Sequence, residues 1–181
     1  GDVYKRQHRD SASPGDNFEY GDLMAVQLSY SSDVTDLVKK TTAFIADVVL
    51  PIENANDGDI TAAGGDDLRR DLNEKAKQLG IFAPHAPVEF GGHGLSMSDR
   101  VPVFEAGGYS TFGPAALHIG APDEGNVHML AHIADDEQKL KYLAPLASGD
   151  VRSAFAMTEP APGAGSDPNQ LRTACLLYTS D

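Results

Sequence analysis

The residues best equipped for chemistry lie together in Phe155-Ala-Met-Thr-Glu-Pro-Ala-Pro-Gly-Ala-Gly-Ser-Asp167. From Arg152 to Met157 the pattern alternates as a strand does, with Ser153, Phe155 and Met157 on one face and Ala154 and Ala156 on the other. A hydroxyl and a carboxylate follow, Thr158 and Glu159. A strand ending in a hydroxyl suits a flat ring, because backbone N–H and C=O groups offer donors and acceptors along its edge. A Gly-Ala-Gly-Ser turn suits phosphate, since missing Cβ atoms let backbone N–H groups close on an anion beside Ser166. An ordinary exit from strand to loop uses the same residue types, so composition leaves both readings open.

Two other constellations compete. His128 and His132 are four residues apart, which puts both imidazoles on one helix face, a spacing that can serve one zinc ion. A helical zinc hydrolase also needs a glutamate directly after the first histidine; Met129 stands there and cannot act as a base. His118 is the nearest third ligand, and two histidines packed on a helix face explain the spacing without a metal. The Gly-Gly-His-Gly loop within Val88 to Leu95 lacks the Lys-Ser or Lys-Thr of a phosphate cradle and reads as a tight turn with positive φ at its glycines.

The elements that must position these residues are helical. Asp33 is placed to cap a first helix whose stripe is Val34, Leu37, Val38, Thr41, Ile45, Val48 and Val49, and Pro51 should end or kink it near Leu50. A second helix is expected from about Asp66 to Leu79, burying Leu68, Leu72, Ala76 and Leu79, with Gly80 as its stop. Ser98 opens a third through Val101 and Phe104, broken at Gly107-Gly108. From Asn126 to Ala134 apolar residues lie almost all round, the mark of a helix buried on most sides. Asp135 with Gln138 makes a capping box for a last helix that turns Leu140 and Leu143 inward and ends at Pro145 and Gly149.

Composition narrows the partners. A net charge of −13 argues against nucleic acid and anionic membrane surfaces, and no apolar run approaches the roughly 20 residues of a membrane helix. Residues 1–7 and 175–181 look foreign to the rest, like translated adapter read-through, and 8–32 reads as a leader or linker. The only cysteine, Cys175, falls in the second suspect tail, which removes disulfides and thiol chemistry from the remainder. A cytoplasmic location is the expectation.

Met157-Thr-Glu-Pro160 followed by Gly163-Ala-Gly-Ser-Asp167 resembles the first flavin-contacting segment of the acyl-CoA dehydrogenases. Val88-Glu-Phe-Gly-Gly-His-Gly-Leu95 and Asp136-Glu-Gln-Lys-Leu-Lys-Tyr-Leu-Ala-Pro-Leu-Ala-Ser-Gly149 resemble the same family in the same order, over roughly Asp33 to Arg172. One departure is the Ala161-Pro162 pair, which lengthens the path from Glu-Pro to Gly-Ser-Asp as in one branch of the family. The resemblance implies a mainly α chain: an N-terminal helical domain at 33–150, then the start of a β-domain at 151–174. It implies an N-terminal fragment of an FAD-dependent enzyme that removes hydrogens from the α and β carbons of an acyl-CoA. By it, Phe155, Ala156, Met157 and Thr158 meet the flavin ring, and Ser166 lies near the FAD pyrophosphate or the acyl-CoA. The catalytic base would lie in a later helical domain, leaving Glu159 to brace the loop. Acyl-CoA, an acceptor such as an electron-transfer flavoprotein, and a homo-oligomeric parent are the implied partners. The fragment alone is expected to be inactive. A non-catalytic acidic module that binds a protein partner, or a metal hydrolase using His128 and His132, are the alternatives.

Overall fold

The computed structural model describes residues 29–174, so both suspected tails and the leader up to residue 28 lie outside the described residues. The chain is mainly α. Its elements are α1 (Ser32–Phe44), a π turn (Ile45–Val49), α2 (Leu50–Ala55), α3 (Gly65–Gln78), α4 (Met97–Gly107), α5 (Gly113–Ala116), α6 (Asp123–Ile133), α7 (Asp136–Gln138), a second π turn (Lys139–Leu143) and α8 (Ala144–Ala147). Among the described residues no helix is long and apolar enough to cross a membrane.

Helix starts follow side-chain chemistry, with small shifts from expectation. Ser31, not Asp33, caps α1 by accepting from the Val34 N–H, and Asp33 sits in the first turn where the helix dipole favours it. Ser96, not Ser98, caps α4 by accepting from the Asp99 N–H. The Asp135–Gln138 capping box forms as read, with reciprocal bonds of 2.8 and 3.1 Å.

The prolines do not end helices here. Pro51 and Pro145 each lie just past a π turn, in which Leu50 N–H reaches Ile45 O and Ala144 N–H reaches Lys139 O. A proline ring crowds the carbonyl four residues back and supplies no N–H. Widening the preceding turn moves that carbonyl aside and lets the helix run on. The wider turn also rotates the register. Leu143 is buried, but Leu140 is 71% exposed rather than inward.

One core joins these pieces: Phe44, Ile45, Val49, Leu72, Ala76, Ile81, Phe112, Leu117, Val127 and Leu143 are all buried in a single cluster. Leu79 lies outside it, exposed at the end of α3. In the loop after residue 87, Gly91 and Gly94 have φ of 86° and 61°, the turn geometry expected of them.

Candidate functional site

The segment singled out by its residues forms no strand. Residues 152–158 run as irregular chain, and the one backbone pairing nearby is an isolated bridge of Glu159 with Gly165. Alternation chooses faces, but a ladder needs a partner edge, and the described residues offer none. Phe155 is 66% exposed, Ala156 and Thr158 are exposed, and Met157 is half-buried. Among the described residues no hydrogen bond reaches 154–158. Ser166 is exposed in the turn beyond.

What leads into this bare stretch is tightly held, by side chains that periodicity cannot flag. His118 Nε2 is 2.7 Å from Leu146 O and must donate, because a carbonyl can only accept. Arg69 Nη1 donates to Gly149 O at 3.1 Å and to Asn73 Oδ1 at 2.7 Å. Asn73 in turn donates to Ala115 O and Ala116 O, each at 2.8 Å, so α3 is tied to α5 and to the turn after α8 at one point. Gly149 has φ of 76°, and a Cβ there would meet Phe82 Cζ at 2.9 Å, so this turn requires glycine twice over. Then Asp123, 2% exposed in the first turn of α6, accepts from the Ser153 N–H and Oγ–H at 2.7 Å each and from Arg152 Nε at 2.5 Å. Burial pushes the Asp123 carboxyl up, but bonds from Ser153 and Arg152 outweigh it and hold the group below the usual carboxylate range.

Beyond the bare stretch, Glu159 holds the loop. Its carboxylate accepts from the N–H groups of Ala164, Arg172 and Thr173 and from the Thr173 hydroxyl. Those bonds, led by the Ala164 N–H, lower its pKa to about 2. A carboxylate so engaged is a brace and a poor base.

A cavity of about 360 Å³ opens between α6, the second π turn and residues 151–155. Met129, Leu130, Tyr142, Leu146, Val151 and Phe155 make its walls apolar, while Asn126 and Ser153 supply a polar end. That size and mix suit a small-molecule site. Sequence reasoning expected α6 to be buried on most sides. Instead Val127 is buried while Met129 is 43% and Ile133 73% exposed, because one apolar side of the helix faces this cleft and the surface around it.

The metal alternative gains no third ligand. His128 and His132 are neighbours, ring centroids 4.3 Å apart, with His132 Nδ1 set against His128 O. His118 instead stacks on Phe82 and donates to Leu146 O, and no group of three candidate ligands occurs among the described residues. His85, missed by sequence reading, is 5% exposed with neither ring nitrogen partnered among the described residues, and burial pushes its pKa down to about 3.

The profile of the acyl-CoA dehydrogenase N-terminal domain matches residues 31–150. Acyl-CoA dehydrogenase family member 10 of Mus musculus is 32% identical over 158 residues, covering 83% of this chain and 15% of its own length. The probable acyl-CoA dehydrogenase FadE2 of Mycobacterium tuberculosis is 32% identical over 154 residues, covering 82% of this chain and 37% of its own. A solved structure from Mycobacterium abscessus, itself assigned as an acyl-CoA dehydrogenase, superposes with a TM-score of 0.63 at 35% identity, over 74% of this chain and 36% of that one. The chain therefore spans well under half the length of these relatives. Sequence match and helical architecture agree over the same region, and the chain belongs to the acyl-CoA dehydrogenase family, whose N-terminal domain it carries.

Proposed function

We propose that this chain is the N-terminal part of an FAD-dependent acyl-CoA dehydrogenase and supplies one edge of its flavin site. The observation that carries the reading is the backbone of 154–158, which makes no hydrogen bond among the described residues, is rooted at Ser153 and is bordered by an apolar cavity. Residues 33–150 would form the helical domain and 151–174 the opening of the β-domain. The residues present fit the group: Phe155, Ala156, Met157 and Thr158 would meet the ring, the backbone at Met157 and Thr158 its pyrimidine edge, and the exposed Thr158 hydroxyl would donate to N5. Ser166, exposed beyond the Glu159 brace, would approach the pyrophosphate or the acyl-CoA. FAD, when bound, supplies the acceptor for the hydride from the β carbon of the acyl-CoA thioester.

The residues of this chain bind and orient, and the base that removes the α-proton would lie outside it. Electrons would pass on to an acceptor such as an electron-transfer flavoprotein, and the intact parent would be a homo-oligomer. Purified full-length protein should carry stoichiometric FAD that acyl-CoA bleaches, while the 181-residue chain alone should bind flavin poorly and turn nothing over. A full-length protein that is colourless and unaffected by acyl-CoA would leave the acidic interaction module as the better reading.

A further inference from the structure

Asp123 has an unusual position for a carboxylate that no reacting group touches. It is 2% exposed, yet it spends both oxygens on a segment thirty residues away in sequence, taking the Ser153 N–H and hydroxyl on Oδ1 and the Arg152 guanidinium on Oδ2. The neighbouring turn of α6 adds a fourth bond, Asn126 Nδ2 to Ser153 Oγ at 2.8 Å. Because Asp123 belongs to the first turn of α6, the helix dipole favours its charge, and the buried ion is compensated by both helix and guanidinium. Every other bond near this segment stops at Asp150 and Val151, which reach back to Pro145 O. Ser153 is thus the last residue held before the bare stretch, and Asp123 holds it.

We propose that Asp123 is a positioning residue for the flavin edge. Its carboxylate fixes the register in which 154–158 leave the helical body, so that the same residue that anchors Ser153 also sets one end of the cavity and the direction of Thr158. The proposal rests on the flavin reading above. Charge-assisted bonds are about twice as strong as neutral ones and directional, so a carboxylate that accepts from one backbone N–H and two side chains fixes an orientation that packing alone would leave loose.

Two variants test this in the full-length holoprotein. Asp123→Asn keeps the shape and one acceptor oxygen but drops the charge, and Ser153→Ala leaves the carboxylate and Arg152 in place. The FAD dissociation constant should rise on the order of tenfold in Asp123→Asn and a few-fold in Ser153→Ala, without a matching fall in the folded fraction. The bound flavin's visible spectrum should shift in both, a readout that loss of stability alone does not move. Affinity and spectrum unchanged in both variants, or FAD lost only in proportion to unfolding, overturns the proposal. Should Asp123→Asn not fold, Ser153→Ala decides by the same criteria. A wild-type protein without flavin defeats the flavin reading and not the anchor. The anchor is then read from amide hydrogen exchange in the 181-residue chain, where Ser153 should be protected and Asp123→Asn should free it roughly tenfold. An unprotected Ser153 in the wild type overturns it.

Discussion

Residues 146–153 and 154–158 are continuous in sequence and held in opposite ways. The first stretch is fixed at three places by side chains from α3, the loop between α5 and α6, and α6: Arg69 on Gly149 O, His118 on Leu146 O, and Asp123 on Ser153. The second has no hydrogen bond among the described residues, and Phe155 within it is 66% exposed. Side-chain hydrogen bonds therefore hold the root, while the edge keeps its backbone groups for the recognition proposed above. A backbone whose donors and acceptors are unspent can offer them to a ligand; one already satisfied cannot.

The largest effect should come from breaking the root. Asn73→Ala orphans the buried Ala116 O, leaves the half-buried Ala115 O with only the His118 N–H, and takes an acceptor from buried Arg69. At about 1–3 kcal/mol for an unsatisfied buried group, with the Arg69 bond lost as well, the loss should be roughly 2 kcal/mol or more, measured by urea unfolding of the 181-residue chain. A change of about 0.5 kcal/mol or less would mean the root is not where stability resides.

Acid should separate the two regions more gently. His85 is neutral in the fold, its pKa held at about 3 against an ordinary 6.5. As pH falls, the unfolded chain therefore binds the proton first, and stability declines from pH 6.5 downward, by about 2 kcal/mol at about pH 5. Glu159 runs in a different window. Its contribution is present above 4.5 and is lost only as pH falls toward about 2, so the loop brace survives when the helical part has already weakened. Urea midpoints at about pH 7.5 and about pH 5 check the slope, and His85→Leu should remove most of it. The smallest effect belongs to the edge. Phe155→Ser should change unfolding free energy by no more than about 0.5 kcal/mol, as surface substitutions do, and a larger loss would show that the edge is packed after all.

The contrast also explains what could be read in advance. Capping and stripe logic works on contacts within one helix, and the helices of α1, α3 and the Asp135 box appeared accordingly. It fails where a residue acts across the fold. Arg69 and Asn73 lie outside the apolar stripe expected of α3, and only the structure shows them buried on Gly149 and α5. Asp123 read as nothing, though an acidic residue just after a proline at a helix start was a signal for a first-turn role. The strand at 152–157 was misread because alternation cannot supply the neighbour that pairs with it, and the π turns because proline rules assume the ordinary helical spacing. Phe155, Ala156, Met157, Thr158 and Ser166 were singled out by motif; all but the half-buried Met157 are exposed, and none has a backbone hydrogen bond among the described residues.

The central claim is that Thr158 sits on that edge to meet the flavin. Thr158→Val in the full-length protein keeps shape and β-branching and removes only the hydroxyl. The measurement is the single-turnover rate at which acyl-CoA bleaches bound FAD, wild type against variant. Loss of a donor to a site that gains negative charge should slow bleaching on the order of tenfold, about 1.4 kcal/mol, with FAD still bound. An unchanged rate with intact FAD binding would contradict the account.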